Sequence, residues 1–158
     1  MFKKSIMWTV TAVGAAVAMT LGLPGQAFAD GKVTWKNSRS GLCLTFTALP
    51  LPVADVQGKP CGGNWGTAQA WYDQRQSDGS YRQVHYASGA AYCLDGNYGQ
   101  AYVMECNGGD WQRWWEISTP TGWALMNVHT GYVLEDNGSG SIRTNVNYGD
   151  SNSNQRWR

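Results

Sequence analysis

Short apolar or aromatic runs alternate with glycine- and asparagine-bearing turns along most of the chain. Such turns occur at Asp78-Gly79, Asn107-Gly108-Gly109 and Asn137-Gly138. Short runs bounded by these residues are typical of strands joined as hairpins. No segment keeps a 3.6-residue apolar period for three turns, so the pattern predicts an all-β domain with little helix.

Three Gln-x-Trp triplets divide the chain evenly, with 43 residues between successive copies, at residues 69–71, 112–114 and 155–157. Equal spacing in this range indicates one supersecondary unit copied along the chain. The predicted repeats cover residues of about 32–77, 78–119 and 120–158. Because one such unit is too short to bury a core, we expect three around a pseudo-threefold axis. The shared core would hold Gln69, Trp71, Gln112, Trp114, Gln155 and Trp157.

Four cysteines lie in the first two repeats, and the repeat selects one of three possible pairings: Cys43 with Cys61, and Cys93 with Cys106. Each bridge would stabilise the fold by roughly 3 kcal/mol. In the third repeat Val133 stands at the first cysteine position and Gly149 falls opposite the second. A zinc site is the alternative, but the chain has no Cys-x-x-Cys pair.

The first residues resemble a secretory signal. Lys3 and Lys4 precede an apolar run over residues 8–23, and small residues lead to Ala29. We expect cleavage after Ala29 and a secreted, extracellular protein. A membrane anchor is disfavoured because the apolar run ends early and no basic stop-transfer cluster follows. The predicted organisation is a signal peptide and one domain, residues 1–29 and 30–158.

Charge and motifs narrow the function classes. Removing Lys3 and Lys4 would take the formal net charge from +1 to −1, which argues against a nucleic-acid partner. No second long apolar run exists, so we expect no membrane insertion. Separately, we expect a monomer. Asp95 and Glu105 are the nearest approach to a catalytic carboxylate pair, but should point to different faces. We therefore expect no catalytic residues, no cofactor and no metal.

Two motifs and the repeated triplets carry a family resemblance. With Cys93-Leu94-Asp95, Cys106-Asn107-Gly108 and three Gln-x-Trp copies, the chain resembles the ricin-type β-trefoil family of lectins and carbohydrate-binding modules. Its second repeat is most similar to small secreted mannan-binding lectins, through residues 94–98, 102, 107–109 and 111–114. The resemblance implies a six-stranded barrel capped by three hairpins, twelve strands in all, with a shallow sugar pocket on each repeat.

The same resemblance implies roles for residues of the second repeat. Asp95 would accept hydrogen bonds from two adjacent sugar hydroxyls, and Tyr102 would supply an aromatic wall and a hydroxyl. Asn107 would bond beside them, Gln112 would lie at the pocket floor, and Tyr98 would add a second ring. The chemistry agrees, because a carboxylate takes hydroxyl donors, an amide bonds in either sense, and a ring covers C–H faces.

The other repeats depart from this set. In the first, Thr45 replaces the acid and Lys59 falls near the tyrosine position. In the third, Glu135 replaces the acid, Asn145 falls near the tyrosine, and Asp150 falls at the amide. We expect a competent site in the second repeat, a weaker third-repeat site from Glu135 and Asp150, and none in the first.

Two other function classes stay open beside a non-catalytic lectin for mannose- or galactose-type glycans. A trefoil can block another protein, as protease inhibitors of this shape do, and the Pro-bearing loop predicted over residues 48–60 suggests it. An extracellular structural protein without a soluble ligand is the third hypothesis.

Overall fold

The computed structural model describes residues 31–47 and 53–158. The predicted signal peptide and its cleavage point lie outside these residues. In the described part, helix is limited to three-residue 3-10 segments at Gly63–Trp65, Asp110–Gln112 and Ser153–Gln155. None of the helices within those ranges is long and apolar enough to cross a membrane.

Eleven strands account for nearly all of the remaining regular structure. They are β1 (Lys32–Val33), β2 (Cys43–Phe46), β3 (Val53–Lys59), β4 (Trp71–Arg75), β5 (Tyr81–Ala87), β6 (Ala90–Gly96), β7 (Ala101–Glu105), β8 (Trp114–Thr119), β9 (Gly122–Asn127), β10 (Val133–Asp136) and β11 (Ile142–Asn145). Trp157 stands at the place expected for a twelfth strand and makes single bridges to Asn37 and Trp123. The all-β prediction is confirmed.

Three antiparallel hairpins form a cap, and the other strands form the barrel wall. The hairpins are β2 with β3, β6 with β7, and β10 with β11. Strands β3 and β7 also pair directly, so the hairpins of the first two repeats meet near the approximate threefold axis. This architecture is a β-trefoil.

The approximate threefold symmetry is clearest in the core. The tryptophan of each Gln-x-Trp triplet has no exposed surface. Each indole N–H donates to the carbonyl of a leucine in its own repeat, at 2.9, 2.9 and 3.0 Å: Trp71 to Leu44, Trp114 to Leu94, and Trp157 to Leu134. A buried indole needs such an acceptor, so the bond fixes the orientation of the largest core side chains.

The glutamine of each triplet holds the loop that follows its hairpin. Its side-chain oxygen accepts from one loop N–H, at Gly62, Asn107 and Tyr148 in the three repeats. Its amide donates to a carbonyl just before, at Pro60, Glu105 and Val146. These glutamines are buried, so their main role is to close the loop against the hairpin.

Both predicted disulfides are present, joining Cys43 to Cys61 and Cys93 to Cys106. Each links the first strand of a hairpin to the loop after its second strand. In the third repeat, the residue two places beyond the strand partner of Val133 is Asn147. Asn147, and not Gly149, therefore occupies the place of the second cysteine.

The closing residues pair with the segment just after β1. Lys36 N–H donates to the Arg158 carbonyl at 2.8 Å, and Arg158 N–H returns the bond at 2.9 Å. Val33 instead pairs with Trp71. The segment over residues 33–36 therefore pairs with β4 and with the end of the chain.

The long loop predicted over residues 48–60 is largely a strand. Residues Val53–Lys59 form β3, which pairs with β2 over four positions. Residues 48–52 lie outside the described part. The alternation of exposed and buried side chains along β3 shows why it is a strand, because every second residue faces the core.

Candidate functional site

A buried carboxylate and a tyrosine face each other on the second hairpin. Asp95 of β6 is the direct cross-strand partner of Tyr102 of β7. Their neighbours Leu94 and Val103 are paired too, are fully buried and face the core. Since side chains alternate along a strand, Asp95 and Tyr102 lie on the outer face of the cap.

Asp95 is nevertheless nearly covered, with 2% of its surface exposed. Burial raises the pKa of its carboxyl, while hydrogen bonds from Tyr102, Gln112 and the Gly96 backbone N–H act in the opposite direction. Burial, then the charge and hydrogen bond of Asp95, raise the pKa of Tyr102 to about 12. The phenol therefore stays protonated and acts as a donor.

The oxygen Oδ1 of Asp95 is buried and has no hydrogen-bond partner of ordinary geometry among the described residues. An unpartnered buried acceptor costs roughly 1–3 kcal/mol. Tyr102, which is half-buried, bonds the same carboxylate group.

Gln112 supports the pocket and does not line it. It has no exposed surface, its amide donates to the Glu105 carbonyl at 3.0 Å, and its oxygen accepts from Asn107 N–H at 2.8 Å. It also bonds the Asp95 carboxylate. The sequence left two roles open for Gln112, at the pocket floor or in support of the backbone alone, and its bonds to Asn107 and Glu105 are of the second kind.

Asn107 is exposed in the loop after β7, and we call this loop the rim of the candidate site. Its side-chain oxygen accepts from Gly109 N–H at 2.8 Å, so the carbonyl end is turned inward to its own loop. Its amide nitrogen contacts the Met104 sulfur at 3.9 Å and has no other hydrogen bond to residues 31–47 or 53–158. Because Gln112 holds the Asn107 backbone and bonds Asp95, it ties the rim to the acid.

Tyr98 belongs to a separate aromatic cluster. It is 63% exposed, and its ring meets Trp111 and Tyr132 edge-on at centroid distances of 6.1 and 5.4 Å. Trp111 in turn stacks on His129 at 3.7 Å. The sequence did not reveal this cluster, because Tyr132 and His129 come from the third repeat and share no motif with Tyr98.

The third repeat surrounds its acid with protein donors. Glu135 is 3% exposed, and its cross-strand partner is Arg143. Arg143 donates to Glu135 Oε1 from Nε at 2.8 Å and from Nη2 at 2.5 Å. Gln155 donates to Oε2 at 2.8 Å, and Asn145 adds a longer bond. Both carboxylate oxygens are therefore in use.

The predicted partnership of Glu135 with Asp150 is wrong in its second member. Asp150 accepts from Arg156 at 3.1 Å instead. The loop residue whose N–H bonds the repeat glutamine, as Asn107 does in the second repeat, is Tyr148. Arg143, and not Asn145, is the counterpart of Tyr102 in the hairpin register.

The first repeat has no acid at this place. The Thr45 hydroxyl donates to the Cys43 carbonyl at 2.7 Å and accepts from Gln69 at 3.0 Å. Its cross-strand partner is Gln57, and not Lys59. The small hydroxyl is fully used by its own hairpin.

Near Asp95, the described residues form neither a catalytic carboxylate pair nor a metal site. Glu105 lies three residues from Tyr102 on β7, so its side chain leaves the opposite face of the strand from the one Tyr102 and Asp95 share. Within residues 31–47 and 53–158, no three His, Cys, Asp or Glu side chains are grouped to hold a metal ion.

Comparison with solved structures identifies the same fold elsewhere. ThreeFoil, a designed threefold-symmetric protein, is 25% identical, with a TM-score of 0.70 over 82% of this chain and 97% of its own. SeviL bound to asialo-GM1 saccharide is 18% identical, with a TM-score of 0.63 over 82% and 95%. The earthworm R-type lectin C-half in complex with GalNAc is 16% identical, with a TM-score of 0.57 over 79% and 94%.

The sequence comparisons give a family but no individual relative. No curated protein matched the chain. A family model described as the ricin-type beta-trefoil lectin domain matches residues 31–157. The match covers most of the chain, and it agrees with the threefold core and the hairpin cap. The protein belongs to the ricin-type β-trefoil lectin family.

Proposed function

We propose that this protein is a secreted, non-catalytic lectin that binds mannose- or galactose-type glycans through its second repeat. The observation that carries the proposal is the Asp95 carboxylate, buried beside Tyr102 with Oδ1 unpartnered among the described residues. A sugar hydroxyl would supply the missing donor in a charge-assisted bond. Family membership supports carbohydrate as the class of ligand.

The surrounding groups fit a sugar ring. The Tyr102 phenol would offer a ring face and a hydroxyl, and the open amide of Asn107 would donate at the rim. Gln112 keeps the acid and the rim at a fixed separation before any ligand arrives. A preorganised pocket loses less conformational entropy on binding than a mobile one does.

Export is part of the proposal. Two disulfides hold the first and second hairpins, and such bonds persist in oxidising compartments. The signal-like sequence before residue 30 agrees with that compartment. Expression with the native leader, followed by mass analysis of the secreted protein, would show whether the chain is cleaved after Ala29.

The protein-blocking alternative has less support than the sequence suggested. It depended on the loss of two sugar sites and on a long loop over residues 48–60, and seven residues of that segment are strand β3. At Asp95, hydrogen bonds from Tyr102, Gln112 and the Gly96 N–H converge on one charged acceptor, as in sites for small polar ligands.

A glycan array tests the proposal directly. The folded secreted protein should bind mannose- or galactose-terminated glycans, and the Asp95→Ala variant should lose that binding. The matched control is Glu135→Ala, which changes the corresponding acid of the third repeat. Absence of binding by the wild type, or equal binding by Asp95→Ala, would refute the assignment.

A further inference from the structure

Tyr102 is flanked by acids from two different repeats. It pairs with Asp95 of β6 on one side and with Asp55 of β3 on the other. Directly paired residues point to the same face of a sheet, so the three side chains form one row on the outer face of the cap. Asp95 is buried, whereas Asp55 is exposed.

A hollow of about 440 Å³ lies beside Tyr102 and includes Asp55 but not Asp95. All three repeats contribute to its wall: Asp55 from the first, Gln100 and Tyr102 from the second, and Ser141 and Arg143 from the third. The hollow therefore lies where the three hairpins meet, and Tyr102 separates it from the carboxylate of Asp95.

A second hollow of about 390 Å³ shares Asp55, Ala101, Ser141 and Ile142 with the first and extends to Lys59. We call the two together the axial groove. Each hollow falls in the size range of small-molecule sites, which is roughly 300–1,000 Å³.

The floor of the axial groove is rigid. Gly58 N–H donates to the Gly140 carbonyl at 2.8 Å, which joins the first and third hairpins. A Cβ on Gly140 would lie 2.5 Å from the Gly58 carbonyl oxygen, so a larger residue there would force the hairpins apart. The groove is thus formed before a ligand binds.

The groove presents mixed donors and acceptors in place of an apolar wall. Asp55 offers a carboxylate, Gln57 and Gln100 offer amides, and Ser141 offers a hydroxyl. Hydroxyl-rich ligands match such a surface, because each sugar hydroxyl both donates and accepts. Lys59 and Arg143 line the two ends of the groove. The Arg143 guanidinium is bonded to Glu135, and the Lys59 ammonium lies 5.6 Å from the centre of the Trp65 ring.

We propose that the axial groove is a subsite for the further residues of an oligosaccharide whose first residue sits at Asp95. This inference rests on the proposed function and deepens it by naming the ligand class. The preferred ligand is a glycan chain of at least two or three residues. Tyr102 forms the shared wall, with one sugar at Asp95 and the next toward Asp55.

The test compares short and long sugars by isothermal titration. The probes are methyl α-mannoside and methyl α-galactoside, each against the corresponding α-linked trisaccharide. The wild type should bind one trisaccharide at least tenfold more tightly than its monosaccharide. Ser141→Trp, which fills the groove, should remove most of that advantage and leave monosaccharide affinity unchanged.

Ser141 suits this substitution because it is exposed, and within the described part of the chain its hydrogen bonds are made by its backbone atoms with Asn137. Ser118→Trp, at an exposed serine of β8 outside the groove, is the matched control and should keep the advantage. Asp55→Asn provides a second, milder variant, which should weaken the trisaccharide alone.

The outcomes separate the two proposals. If the wild type binds a monosaccharide and its trisaccharide equally, or if Ser141→Trp keeps the full advantage, the groove is not a subsite although the lectin assignment stands. If the wild type binds none of the four sugars, both proposals fail together.

Discussion

The second and third hairpins hold a buried acid at the same place but give it different neighbours. Asp95 faces Tyr102 and keeps one oxygen unpartnered, whereas Glu135 faces Arg143 and has both oxygens bonded. An acid two residues beyond the cysteine position is therefore not enough to make a ligand site. The cross-strand partner decides whether the acid is available.

In the third repeat, Arg143 makes the hydrogen bonds to the acid that a ligand would otherwise make. Its guanidinium makes two bonds to one oxygen of an acid that is 3% exposed. Because the acid is buried, removing the arginine would leave a buried charge without its main partner, and a single sugar hydroxyl would not replace two guanidinium bonds. We therefore expect one binding site per protein and weak binding to isolated sugars.

The largest predicted difference between the hairpins concerns stability. Replacing Cys93 and Cys106 by alanine should lower the free energy of unfolding by about 2–5 kcal/mol, because the bridge restrains the unfolded chain. The third repeat lacks this bond. Placing cysteines at Val133 and Asn147 should raise stability, since these positions match the bridged pair. Denaturant unfolding measures the stability of both variants, and unchanged midpoints would contradict the stabilising role of the bridge.

The next effect is on ligand binding. Asp95→Asn keeps the shape but removes the charge, and should weaken glycan affinity ten- to a hundredfold, in keeping with about 1.5–3 kcal/mol for a bond to a charged group. Glu135→Gln should leave affinity unchanged. Titration with the glycan selected on the array compares the two. Equal losses in both variants would show that the hairpins do not differ in function.

A gain of function sharpens the same contrast. Arg143→Tyr combined with Glu135→Asp gives the third hairpin the acid and tyrosine of the second. Binding stoichiometry should rise from one to two sugars per protein, and attachment to a glycan-coated surface should strengthen through multivalency. Arg143→Met alone is the control, since it frees the acid without adding a phenol. A stoichiometry that stays at one would show that the loop also matters.

The Tyr102 hydroxyl should contribute less to glycan affinity than the Asp95 charge does. Tyr102→Phe removes its bond to Asp95 and should lower affinity about fivefold, which corresponds to roughly 1 kcal/mol. The aromatic wall remains in this variant. Tyr98→Phe, in the neighbouring aromatic cluster, is the matched control and should have little effect.

The smallest expected effect is on pH dependence. Burial raises the pKa of Asp95, so the folded state favours the neutral acid more than the unfolded state does. Stability from this group is present at low pH and is lost as pH rises through the folded pKa, so Asp95→Asn should be slightly more stable at neutral pH. Binding should show the opposite trend and weaken on acidification, whereas binding by Asp95→Asn should not depend on this group.

The core was predictable from sequence because its determinants are large and periodic. Three tryptophans at equal spacing indicate a common core, because such large side chains are usually buried. The repeat also selects one pairing of the four cysteines, the one within single repeats. Two of the three glycine-bearing turns predicted to join hairpins do so: Asp78-Gly79 lies between β4 and β5, and Asn137-Gly138 lies between β10 and β11. Asn107-Gly108-Gly109 instead lies in the loop after β7, which pairs with β3 and β6.

The residues that surround each acid were harder to predict. The loops of the three repeats differ in length, whereas the paired strands keep their register. Asn107 precedes its glutamine by five residues, whereas Tyr148 and Gly62 precede theirs by seven. Counting back from Gln155 therefore selected Asp150. The cross-strand register, which brings Arg143 opposite Glu135, depends on hairpin length and is not visible in any motif.

The central claim is that the second repeat alone has an acid available to a sugar. An NMR titration of uniformly ¹⁵N-labelled protein with the array-selected glycan tests it most directly. We predict that the backbone signals of Asp95, Tyr102 and Asn107 shift while those of Glu135 and Arg143 stay in place. Shifts centred on Glu135 and Arg143, or equal shifts in both hairpins, would contradict the account.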